Sequence, residues 1–134
     1  MYKIDKYQVK VYINLDDGLY IFPDESATGK TRLGTLLESY GYFGNRTIYL
    51  TYKTGGKEYR DEILGLKQGY YRVIMLDRCD MCYDVFNDTA VINKLKELSK
   101  ESVILADCKG QCKLFDVADT CFIDMAKEEI SVSQ

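Results

Sequence analysis

The chain has no histidine, no tryptophan and a single proline among its 134 residues. Without histidine it lacks both the commonest general base at neutral pH and the commonest metal ligand. No apolar run approaches the ~18 residues that a transmembrane helix needs, and no secretory leader is read at its start. A cytoplasmic protein with no membrane partner is therefore expected. Neither sign of charge dominates: 18 Lys and Arg stand against 21 Asp and Glu, for a net charge of −3. This balance gives no electrostatic footprint for nucleic acid.

What is present is ordinary in proportion, with 46% hydrophobic and 29% charged residues. These values suit a globular protein, and the length suits one domain over residues 1–134. Tyrosine is abundant, at 12 residues. Tyr favours half-buried strand positions with its hydroxyl at the surface, which is the simpler reading. Tyr40, Tyr42, Tyr49, Tyr52, Tyr70 and Tyr71 would alternatively line a protein interface, where Tyr is enriched.

Apolar patterning sets out the elements. Over residues 7–22, two apolar runs flank Asp17-Gly18, a strong hairpin signal. Residues 31–40 read as a helix with Leu33, Leu36 and Leu37 on one face and Gly41 as its stop. Residues 46–52 alternate as a strand, Gly55-Gly56 reads as a turn, and 57–66 as a short helix. Residues 71–77 form a continuous apolar run ending in Asp77, as a buried parallel strand does. An amphipathic helix over 88–100 follows, with Val91, Ile92, Leu95 and Leu98 as its stripe. Residues 102–107 and 120–125 read as two further buried strands. A turn at 127–129 then leads into 130–132 as a terminal hairpin. This alternation predicts a three-layer α/β fold: a mostly parallel sheet flanked by helices, with antiparallel hairpins leading into and out of it.

The richest stretch is Ile21-Phe22-Pro23-Asp24-Glu25-Ser26-Ala27-Thr28-Gly29-Lys30-Thr31. It reads as a strand, a tight polar loop and the first turn of a helix. Backbone N–H groups at such a helix start concentrate positive potential on a polyphosphate. In the phosphate-binding loop G-x-x-x-x-G-K-[ST], the Lys reaches the β- and γ-phosphates and the hydroxyl residue ligates Mg²⁺. Those roles fall to Lys30 and Thr31. Ser26, Ala27, Thr28, Gly29, Lys30, Thr31 and Arg32 form the expected cradle. Asp77, at the end of a buried strand, is the expected second Mg²⁺ partner. Asp24 stands where the motif has its first Gly. The competing reading is an ordinary helix start, capped by Thr28 or Thr31, with a solvated lysine.

The hairpin before the loop, the loop, residues 71–77 and the ending Ala118–Val132 together resemble a reduced, degenerate ABC-type ATPase core of the P-loop NTPase class. The resemblance rests on residues 15–37, 71–80 and 103–132. It implies a P-loop nucleotide-binding core with ATP and Mg²⁺ as cofactors. In that family a catalytic Glu follows Asp77, where this chain has Arg78. The family's switch His has Asp107 in its place, and no signature helix has room in the chain. Hydrolysis is then expected to be slow or dependent on a partner, with Asp80, Glu25 and Asp107 as the candidates for orienting water. The alternative function is a non-enzymatic protein-interaction module on a P-loop scaffold that has lost its nucleotide.

Cys79-x-x-Cys82 and Cys108-x-x-x-Cys112 each follow a strand. Four thiols with this spacing would suit tetrahedral zinc. Reduced thiols behaving as small hydrophobes are the preferred reading, ahead of zinc or a redox disulfide.

Overall fold

Val73–Leu76 and Val103–Ala106 are buried at every position, as strands covered on both faces must be. They are β5 and β6, at the centre of a five-stranded sheet in a computed structural model. The structure describes residues 2–4, 9–22, 29–52, 56–79, 83–108, 113–126 and 128–134. The sheet is all parallel and adds β3 (Gly18–Ile21), β4 (Thr47–Leu50) and β7 (Asp119–Thr120), in the order β4-β5-β6-β3-β7. A second, mixed sheet of four strands runs β1 (Tyr2–Ile4), β2 (Lys10–Asn14), β9 (Glu129–Ser133) and β8 (Phe122–Met125).

The period-2 alternation of the central strands sorts their side chains into two cores. Ile21, Ile74, Leu76, Ile104 and Ala106 face α2 (Gly56–Leu64), α3 (Tyr83–Phe86), α4 (Thr89–Leu98) and α5 (Leu114–Val117). Tyr20, Phe22, Val73, Met75, Val103 and Leu105 face α1 (Lys30–Tyr42) and the mixed sheet. The result is an α/β fold with a parallel sheet flanked by helices. Among the described residues no helix is long and apolar enough to cross a membrane.

Most elements lie where the patterning puts them. All four stripe residues of α4 are buried, and Asp88 caps the helix by accepting from the Ala90 N–H at 2.8 Å. The short helix at 57–66 is α2, and the terminal hairpin is β8–β9.

Four expectations are corrected. Asp17-Gly18 does not close a hairpin: β2 and β3 belong to different sheets. Leu19, Tyr20, Ile21 and Phe22 are all buried, so β3 needs cover on both faces and pairs in parallel with β6 and β7. The antiparallel pair leading in is β1–β2 instead. Gly41 does not stop α1, which runs to Tyr42, with Gly44 beyond it at φ 84°. Gly41 serves a close approach, since a Cβ there would lie 2.4 Å from the Thr47 carbonyl oxygen. Gly56 opens α2 rather than completing a turn, and Gly55 lies outside the described residues. Residues 120–125 are not one buried strand. The chain pairs with β3 through Thr120, then changes sheets at buried Cys121, leaving Phe122 56% exposed on β8.

Candidate functional site

The carboxyl ends of parallel strands are where an open α/β sheet holds ligands, at the point where adjacent strands send their connections to opposite faces. Here that point lies between β3, which continues into α1, and β6, which continues into α5 on the other face.

Gly29 is the N-cap of α1 at φ 90°, with no side-chain cap bond. This left-handed backbone favours glycine. A Cβ there would also lie 2.7 Å from Met125 Cγ on β8, so that side chain would have to shift. Lys30 is therefore the first residue of the helix, and its side chain is only 3% exposed. It is not a solvated lysine. Its ammonium is 3.2 Å from Asp107 Oδ1 and 5.8 Å from the centre of the Phe22 ring. Asp107 follows β6 directly and is tied to β5 by its N–H, which donates to the Leu76 carbonyl at 2.8 Å.

Asp77 follows β5 and is held at four points. Its N–H donates to the Leu50 carbonyl at 2.8 Å, and its carbonyl accepts from the Tyr59 hydroxyl at 2.7 Å. Its Oδ1 accepts from the Arg78 N–H at 2.8 Å. Its Oδ2 accepts from the Tyr49 hydroxyl. Arg78 takes φ 53° and is exposed. The Asp77 carboxyl group lies near enough to Asp107 to act on its titration. Burial, with Asp77 adding to it, raises the Asp107 pKa above the ordinary carboxylate value against the opposing pull of Lys30. Burial and the Asp77 acceptor likewise raise the Tyr49 phenol, which keeps its proton at neutral pH.

The crevice thus gathers Gly29, Lys30, Asp77 and Asp107 from three separate stretches of chain. Thr31 and Arg32 follow on the exposed first turn of α1. Glu25, Ser26, Ala27, Thr28 and Asp80 lie outside the described residues. The Asp77 carboxylate and the Thr31 hydroxyl are each hard oxygens of the kind Mg²⁺ takes. The lysine and the helix start suit an anion.

Sequence reasoning placed Tyr49 on a strand without assigning it to this crevice, and gave Tyr59 and Gly34 no role at all. A Cβ on Gly34 would lie 2.3 Å from the Tyr49 ring. No local signal marks these residues, because only strand order brings β4 beside β5.

Of the cysteine pairs, Cys79 and Cys108 are buried, at 0% and 2% exposure, while Cys82 and Cys112 lie outside the described residues. Among the described residues no cluster of potential metal ligands is present.

A groove of about 500 Å³ lies along β4, lined among others by Tyr42, Arg46, Tyr49, Glu62, Tyr70 and Tyr71. Four of the six tyrosines weighed for an interface, Tyr42, Tyr49, Tyr70 and Tyr71, therefore share one surface. Tyr40 does not; it is buried, with its hydroxyl bonded to the Val9 carbonyl at 3.0 Å. Tyr52 packs partly buried against the α2–α5 core.

No family model matches this chain, and no curated protein or solved structure matches it either.

Proposed function

We propose that this chain is a P-loop protein that binds a nucleoside triphosphate, ATP with Mg²⁺, in the crevice between β3 and β6. One observation carries the reading: Lys30 is the first residue of α1, behind a left-handed glycine, with its ammonium buried beside Asp107 in that crevice. Burying a charge is costly unless it is paired; Asp107 pairs it here, and a bound phosphate would replace Asp107 as its partner. The neighbouring relation of β5 and β6, which brings Asp77 beside Asp107, also agrees with the resemblance to an ABC-type ATPase core.

In this reading the N–H groups at the start of α1 and the Lys30 ammonium hold the phosphates, while Thr31 and Asp77 hold the metal. Bound Mg²⁺ supplies charge neutralisation on the phosphate oxygens. Hydrolysis is slow or partner-dependent. Arg78 occupies the place of the orienting carboxylate and cannot act as a base.

The test is thermal unfolding with Mg-ATP, Mg-GTP and EDTA. ATP at 100 times its dissociation constant should add about 2.7 kcal/mol of stability, and Lys30→Ala should remove most of that gain. An unchanged melting curve at millimolar Mg-ATP would overturn the reading. It would favour the alternative, an interaction module without nucleotide, for which the tyrosine-lined groove along β4 is the supporting observation.

A further inference from the structure

The Asp77 carboxylate is fixed from both sides. Its Oδ1 takes the Arg78 N–H and its Oδ2 takes the Tyr49 hydroxyl. Tyr49 comes from β4, one strand beyond Asp77 and 28 residues away in sequence. Its ring lies against Gly34, one helical turn after Lys30, where any larger residue would collide with it. One aromatic side chain thus touches both the phosphate-loop helix and the acidic strand end. A carboxylate has about four lone-pair sites, so two donors set its orientation and leave lone pairs for a cation.

We propose that Tyr49 is a positioning residue: its hydroxyl orients the Asp77 carboxylate for the divalent cation that accompanies a bound nucleoside triphosphate. This rests on the nucleotide reading above. A ligating carboxylate is commonly oriented by a hydrogen-bond donor behind it, and loss of such a donor typically weakens metal binding by about 10- to 100-fold. Tyr49 performs no chemistry on the substrate. It acts through Asp77, so its effect belongs to the metal and not to the phosphates, which Lys30 and the helix start would hold.

Tyr49→Phe removes one oxygen and keeps the ring on Gly34. ATP affinity is measured by calorimetry in EDTA and then across a Mg²⁺ titration, for wild type, Tyr49→Phe, Asp77→Asn and the double variant. In Tyr49→Phe the Mg²⁺ concentration giving half the metal effect should rise about ten-fold or more, with metal-free ATP affinity unchanged. Asp77→Asn should remove the metal effect, and adding Tyr49→Phe to it should change nothing further. An unchanged Mg²⁺ midpoint in Tyr49→Phe overturns the proposal. So does an equal loss of affinity in EDTA, which marks a merely structural contact. If wild type binds no ATP under any condition, the nucleotide reading itself fails and this assignment fails with it.

Discussion

Gly34 lies flat against Tyr49: a Cβ at position 34 would be 2.3 Å from Tyr49 Cε1 and 2.6 Å from Cζ. This contact joins α1 to β4 beside Asp77. Gly34→Ala should destabilise the protein by about 1–3 kcal/mol through overpacking. In a Tyr49→Ala background the collision is gone, and the same change should stabilise by about 1 kcal/mol through helix propensity. Urea unfolding of the four proteins in the cycle measures this reversal of sign. Additive effects would show that the ring yields freely.

Arg78 leads to a kinetic prediction. Phosphoryl transfer needs a group that orients the attacking water, and the exposed Arg78 offers none. Wild-type ATP turnover should fall well below about 1 s⁻¹, the low end of ordinary enzyme rates. Arg78→Glu should raise it by restoring a carboxylate next to Asp77. Wild-type turnover near ~1 s⁻¹ would show instead that Asp80, Glu25 or Asp107 already orients water.

Asp88 caps α4 and pairs with Arg60 across 2.8 Å. The Arg60 guanidinium, followed by the Ala90 N–H, holds the Asp88 pKa below the ordinary carboxylate value. The unfolded chain therefore takes up this proton first as pH falls. The carboxylate's contribution is complete above the ordinary value and is lost as pH drops through the native one. Asp88→Asn keeps a cap but loses the charge, so its melting temperature should trail wild type at pH 7 and meet it in acid. Asp88→Ala, lacking the cap as well, should trail further. A pH-independent gap for Asp88→Asn would remove Arg60 from the explanation.

Much of this arrangement is legible in the residues alone. Continuous apolar runs at 73–76 and 103–106 read as strands buried on both faces, because every side chain is apolar and the runs are too short for a buried helix. The spacing of Val91, Ile92, Leu95 and Leu98 specifies one helix face. Gly29-Lys30 at a helix start is also local, since a left-handed glycine before a helix depends on neighbouring torsions.

Strand order, and with it the crevice, was decided elsewhere. Asp17-Gly18 has local hairpin chemistry, yet β3 joined another sheet because its apolar faces both needed cover. Lys30 meets Asp107 across 77 positions and Tyr49 meets Asp77 across 28. Neither pairing leaves a periodic trace. Periodicity records which face of an element is buried, whereas the identity of the neighbour on that face depends on how β4, β5, β6, β3 and β7 assemble into one sheet.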